Sequence, residues 1–248
     1  VKQAFNEKFF DKEKCQYDNG SQTSYVLPLA FGMVPQEYEQ KVFENLVKKI
    51  SEETNNHIGT GLIGGQWLMR VLSDHGRPDL AYTIASQKTY PSWGYMIEKG
   101  ATTMWELWNG DTADPAMNSG NHVMLVGDLN IWMHEYLAGI QADPQKPGFK
   151  HIVMHPRAVG DLSACKARYE SIHGTIVSDW KIINGQFCWE IQIPVNTTAT
   201  ISIPASEVDF VQENKKPAKE AQGVKFVRME KGLAIFELMS GHYYFESH

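Results

Sequence analysis

Apolar residues recur with a helical period through the first part of the chain and with a period of two through the last. Pro35 stands at a helix-opening position with Glu37 and Glu39 behind it. Tyr38, Val42, Leu46 and Ile50 then recur every fourth residue, and Phe43 and Val47 widen that face. A second helix is predicted from Leu62 through Leu68, Val71 and Leu72, with Gly76 just past its end. Pro78 restarts the chain, and Leu80, Ala81, Ile84 and Ala85 mark a third helix. Residues 21–31 predict another, with Pro28 near a start or kink. Val1 to Phe5 reads as the middle of an amphipathic helix. Residues 122–137 are apolar nearly all round: Val123, Leu125, Val126, Leu129, Ile131, Trp132, Met133 and Leu137. Such a helix is buried on most sides. It suits the inner layer of a double-layered helical barrel, and the Tyr38 helix suits the outer layer.

The period changes after Ala142-Asp143-Pro144-Gln145-Lys146-Pro147-Gly148, a polar run whose prolines and glycine stop helices. Phe187, Trp189, Ile191 and Ile193 alternate with Cys188, Glu190 and Gln192. Asn184-Gly185 ahead of this run is a two-residue type I′ turn signal. Ile201 and Ile203, then Leu233, Ile235 and Phe236, then Tyr243 to Phe245 supply further strands, while residues 214–222 are charged and read as a loop. The predicted organisation is a helical domain over 1–142 and an antiparallel β-sandwich over 143–248.

Composition adds exclusions. The chain has 248 residues, 42% hydrophobic and 21% charged, which is the profile of a folded chain. Its formal net charge is −6 and its basic residues are dispersed, so nucleic acid is not an expected partner. The apolar runs are too short and interrupted to span a membrane. Cys15, Cys165 and Cys188 form no Cys-x-x-Cys pair, which leaves a disulfide framework or zinc ribbon unsupported. His151 and His155 are four apart but lack a third ligand nearby, so no metal is expected. Gly-x-Ser-x-Gly, P-loop and His-Glu-x-x-His patterns are absent.

The chemistry concentrates in Gly100-Ala101-Thr102-Thr103-Met104-Trp105-Glu106-Leu107-Trp108, where one carboxylate lies between two indoles. Sugar rings stack their apolar faces on aromatic side chains, and a carboxylate can take a proton from water or face an oxocarbenium-like centre. Glu106 has two readings, as general base or nucleophile in glycoside cleavage, or as a capping or ion-paired residue near a helix end. His122, before the apolar helix, can contact a sugar hydroxyl or cap the helix. Asp111 and Asp114 are loop acids, best read as solvated. Trp67 and Trp93 are candidate sugar platforms, whereas Trp132 reads as core.

Together with Tyr90-Pro91-Ser92-Trp93-Gly94 and Ser119-Gly120-Asn121-His122, this nonapeptide resembles the bacterial α-L-rhamnosidases, glycoside hydrolase family seventy-eight. Gln22-Thr23, Thr60-Gly61, Gly76-Arg77-Pro78-Asp79-Leu80-Ala81, Leu137-Ala138-Gly139-Ile140, Pro147-Gly148-Phe149 and Ile193-Pro194-Val195-Asn196 fall in the family's order. The resemblance implies part of an (α/α)6 barrel followed by a C-terminal β-sandwich, and removal of terminal α-L-rhamnose with inversion. It makes Glu106 the general base and His122 a rhamnose contact; beside it, the residues themselves offer Trp93, Trp105 and Trp108 as candidate substrate-binding aromatics. The resemblance also implies a rhamnose-containing carbohydrate as partner; on the motifs alone no cofactor and no metal ligand set is expected.

One departure accompanies this agreement. The family's general acid lies in an upstream segment with an Asp-Cys-Pro pattern, and no Cys-Pro pair occurs here. The expectation is a C-terminal piece of a longer enzyme that carries the base, is inactive alone, and exposes apolar helix faces that favour a homo-oligomer. Two other functions stay open: another inverting (α/α)6 glycosidase, or a carbohydrate-binding or interaction module without catalysis. The start of the chain at Val1 leaves the compartment open, a periplasmic or secreted location included.

Overall fold

A computed structural model describes residues 1–248, apart from the side chains of residues 123–127. The chain divides into two compact units, Val1–Trp132 and Met133–His248.

The first unit carries α1 (Lys2–Phe9), a small hairpin of β1 (Phe10–Asp11) and β2 (Gln16–Tyr17), then α2 (Gln22–Ala30), α3 (Glu39–Lys48), α4 (Leu62–Asp74), α5 (Pro78–Ala85), α6 (Trp93–Glu98) and α7 (Val123–Trp132). Ser21 caps α2 by accepting the Ser24 N–H, and Pro28 sits inside this helix. α4 packs against α2, α5 and α7. Its inward residues Leu68, Met69 and Leu72 join Val26, Val42, Leu46, Ile50 and Ile84 in a core from which water is excluded. Gly76, at φ +82, closes α4: its N–H reaches Ser73 O at 3.2 Å, and the Arg77 N–H reaches Leu72 O at 2.7 Å. That double bond pattern satisfies carbonyls the helix end would leave bare. Pro78 then opens α5 as anticipated.

The apolar stretch after residue 122 differs from its expectation. The α-helix ends at Trp132 and a π-helical turn, Met133–Leu137, follows. Trp132 is buried and donates its indole N–H to Ser73 Oγ at 2.8 Å. Ile131 and Met133 are exposed, so burial on most sides does not hold for this part of the helix. Their neighbour Trp132 takes the only inward-facing position of the three, because adjacent helical residues point about 100° apart. Val123, Leu125 and Val126 lie outside the described side chains.

The second unit contains β3 (Ile140–Ala142), β4 (His151–Met154), β5 (Ala164–Ser171), β6 (Gly174–Ile183), β7 (Gln186–Ile193), β8 (Thr198–Pro204), β9 (Val211–Glu213), β10 (Lys216–Pro217), β11 (Val224–Glu230), β12 (Leu233–Leu238) and β13 (Gly241–Ser247). One sheet has the order β10-β9-β13-β7-β6-β5, the other β11-β12-β8-β4-β3. Pairing is antiparallel except between β4 and β8, which run parallel. The polar run after Ala142 links β3 to β4 inside this unit. Asn184 and Gly185, at φ 51 and 81, form the expected turn between β6 and β7. Residues 214–222 do more than loop: Asn214 and Lys215 take positive φ, pair β9 with β10, and a 3-10 turn Ala218–Glu220 follows. The charged composition hid a hairpin only two residue pairs long.

Between the sheets lie Trp180, Trp189, Phe236 and Phe245, all buried, with Ile191, Ile201 and Ile203. Their polar atoms are paired. Trp180 donates to Leu137 O at 2.7 Å, Trp189 donates to Ser178 Oγ at 2.9 Å, and Ser178 Oγ donates to Ala138 O at 2.7 Å. Buried donors left unpaired would cost far more than these bonds contribute net.

Candidate functional site

The motif begins where α6 ends. Ser92 caps α6, accepting the Tyr95 N–H at 2.9 Å. Gly94 has no room for a side chain, since a Cβ there would lie 2.2 Å from the Gln87 carbonyl oxygen. This close approach seats Trp93 in the core at 5% exposure. Past the helix, Ala101 N–H bonds Met96 O at 2.9 Å and the chain turns out into the motif.

Residues 103–106 and 119–122 clasp each other antiparallel. Glu106 N–H donates to Ser119 O at 2.9 Å, and His122 N–H donates to Met104 O at 2.6 Å. Thr103 Oγ1 donates to Gly120 O. The carboxylate closes the same clasp, with Glu106 Oε2 accepting the Ser119 N–H at 3.0 Å. One carboxylate oxygen is thereby fixed while the side chain stays exposed. No cation pairs with Glu106 among the described residues. It is therefore not in an ion pair among the described residues, while its bond to the Ser119 N–H is of the kind the capping reading names.

The aromatic residues take unequal places. Trp108 is half-buried, donates its indole N–H to Thr60 O at 3.2 Å, and meets the edge of Trp93 with ring centroids 5.4 Å apart at 85°. Trp105 is half-buried against the backbone of Gly110, where a Cβ would come within 2.6 Å of its ring. Trp93, nearly inaccessible, backs Trp108. Trp67 is set apart, edge-on to Phe31 at 5.1 Å and under the Arg70 guanidinium at 5.4 Å. His122 is half-buried immediately before α7.

The loop acids are occupied. Asp111 accepts the Tyr95 hydroxyl at 2.9 Å and lies 3.9 Å from Lys99 Nζ; Asp114 caps its own turn at Ala116 N. Desolvation, reinforced by the Asp111 carboxylate, holds the Tyr95 phenol above its ordinary pKa. Asp128 on α7 is raised by burial, against the pull of Arg70. Two contacts were not legible in the sequence, although Gln22 itself belongs to the Gln22-Thr23 pair noted there. Asn118 Oδ1 accepts the Leu107 N–H at 3.1 Å, and Gln22 holds the loop that carries Thr60. Both lie in polar stretches, and only the fold shows which backbone groups their amides reach.

His151 and His155 do not form a ligand pair: both His151 ring nitrogens meet the hydroxyls of Thr198 and Thr200 at 2.7 and 2.9 Å. The three cysteines are free. No helix among the described residues is long and apolar enough to cross a membrane.

The helical unit presents a clasped, exposed glutamate beside indoles and precedes the two-sheet unit along the chain. Residues 1–137 match the model of the bacterial alpha-L-rhamnosidase 6 hairpin glycosidase domain, and residues 139–218 match the bacterial alpha-L-rhamnosidase C-terminal domain. An α-L-rhamnosidase of Streptomyces avermitilis is 38% identical over 230 residues, covering 91% of this chain and 21% of the relative. The solved structure of a Streptomyces avermitilis α-L-rhamnosidase complexed with L-rhamnose superposes with a TM-score of 0.90 at 35% identity, over 100% of this chain and 23% of that one. An α-L-rhamnosidase structure from Dictyoglumus thermophilum gives 0.89 at 34% identity, over 100% and 27%. The chain belongs to the bacterial α-L-rhamnosidase family. It spans between 21% and 27% of the length of these relatives.

Proposed function

We propose that this chain carries the general-base side of an inverting α-L-rhamnosidase site. The observation behind this reading is the Glu106 carboxylate: exposed, anchored through Oε2 to Ser119 N–H, and without a counter-ion among the described residues. A base must be held still yet keep a lone pair for water, and one anchored oxygen beside one unclaimed among the described residues meets that need.

In the proposed reaction a water molecule attacks the anomeric carbon of a terminal α-L-rhamnoside and gives its proton to Glu106. The bond from that carbon to the leaving oxygen breaks, and the leaving oxygen takes a proton from an acid on the opposite side. Inversion sets the two carboxyl groups roughly 6.5–9.5 Å apart, with room for the water. The family's acid-bearing Asp-Cys-Pro pattern has no match in this sequence, so the proposal for these residues is confined to the base. Trp108 offers a stacking face for the sugar with Trp93 as its backing, Trp105 adds a second aromatic edge, and His122 meets a sugar hydroxyl.

The test is the first-formed product in the native protein. Proton NMR of an aryl α-L-rhamnoside digest should show β-L-rhamnose before mutarotation. The α-anomer appearing first would overturn inversion. Faster hydrolysis of aryl glucosides than of aryl rhamnosides would overturn the substrate class.

A further inference from the structure

We propose that Gln22 is a positioning residue for the aromatic wall of the sugar site. This rests on the reading of Trp108 as a sugar platform, given above.

Gln22 lies in the first turn of α2, is 1% exposed, and spends its whole amide on one loop. Its Oε1 accepts the Gly59 N–H at 2.7 Å. Its Nε2 donates to Thr54 Oγ1 and to His57 O, each at 3.0 Å. Thr54 Oγ1 in turn donates within the loop, with Ile50 O and His57 O both at 3.0 Å. A buried side-chain amide with three partners in residues 54–59 fixes that loop in one conformation, because shifting it would strand several buried polar groups at once.

The loop has two outlets, and both lead to the site. Next to the Gly59 that Gln22 grips is Thr60, whose carbonyl receives the Trp108 indole N–H at 3.2 Å. His57 reaches the other way, its Nε2 lying 2.7 Å from Thr89 Oγ1, just ahead of the Tyr90-Pro91-Ser92-Trp93 segment. Trp93 and Trp108 meet edge to face. One amide thus holds the hydrogen-bond acceptor of one indole and braces the segment leading to the other. The neighbouring Thr23 helps by contact: a Cβ on Gly64 would fall 2.4 Å from Thr23 Oγ1 and 3.0 Å from Thr60 Cβ, so α2 and α4 close tightly around Thr60. If Gln22 served only to stabilise the unit, its loss would affect all indoles alike. As a positioning residue, its loss moves Trp108 first.

The experiment is Gln22→Met in the native protein, a change that keeps volume and removes all three bonds. Indole N–H resonances are followed by ¹H–¹⁵N NMR with solvent exchange, together with an L-rhamnose titration. The Trp132 indole, bonded to Ser73 Oγ, serves as the internal control. The expected result is a shifted Trp108 resonance exchanging about tenfold faster, the factor that corresponds to one net hydrogen bond. Trp132 should be unchanged, and rhamnose affinity should fall by a similar factor. Unchanged Trp108 exchange in the folded variant, or equal changes at Trp108 and Trp132, would overturn the proposal. Should Gln22→Met fail to fold, Thr54→Val removes one of the three bonds and should shift Trp108 in the same direction by less; no shift there also overturns it. A native wild-type protein that shows the indole coupling but binds no rhamnose would sink the sugar-site reading and leave the positioning role standing.

Discussion

The decisive group is a single carboxylate whose two oxygens are treated differently. Ser119 N–H fixes Oε2 and Glu106 N–H returns the bond to Ser119 O, so side chain and backbone of Glu106 are held by one residue. Trp108 is the proposed stacking face for the sugar. Trp108→Ala should weaken L-rhamnose binding about tenfold, from lost stacking and ring burial, as read by titration. Unaltered affinity would place the sugar elsewhere. Glu106 stands out in the sequence as a candidate because a lone acid between two indoles is a rare pattern with a definite chemical use. Its fixation by Ser119 was not legible. It depends on how residues 109–118 fold back, and turns within that stretch, such as Met117 N–H to Asp114 O at 2.8 Å, leave little trace in composition. Trp93 looked equivalent to Trp108 in sequence, yet the close packing of Gly94 on Gln87 buries it.

Helices and strands follow the periodicity closely where capping and turn residues punctuate it. Ser21, Gly76, Pro78 and Asn184-Gly185 each fall at an element boundary in the structure. Elements too short to show a period were missed, as with β9 and β10, and the parallel pairing of β4 with β8 could not be read from alternation, which is the same for either direction. Two substitutions test the elements that position the site and the second core. Gly94→Ala drives a Cβ into the Gln87 carbonyl and should cost roughly 1–3 kcal/mol, seen as a lower urea midpoint. Ser178→Ala removes the hydroxyl between Trp189 Nε1 and Ala138 O, stranding both, and should cost about 2 kcal/mol or more in the same measurement. A midpoint unchanged from wild type in either case would refute the corresponding packing argument.

On the scale of the whole molecule, helical and sheet-forming halves were legible because the period of the apolar positions changes once. The spacing alone does not reveal where the compact units separate, which falls at Trp132, before the Pro-rich run. The second unit has a built-in pH dependence. Burial, reinforced by the Arg157 charge, pushes the His155 imidazole from 6.5 down to about 4. Above pH 6.5 the ring is neutral folded or unfolded and the full stability is present. Between 6.5 and 4 the unfolded chain takes up a proton that the folded chain refuses, so stability falls as pH falls. At pH 5 the loss is about 2 kcal/mol, and urea unfolding of His155→Gln should show a flatter profile over this window. An equally steep profile in the variant would assign the dependence to other groups. The central claim is most directly tested by Glu106→Gln in the native protein, with aryl α-L-rhamnoside turnover and L-rhamnose binding measured side by side. Loss of general-base assistance should lower kcat by about 10²–10⁴-fold while sugar affinity is retained. Turnover near that of the wild type would contradict the assignment of Glu106 as the base.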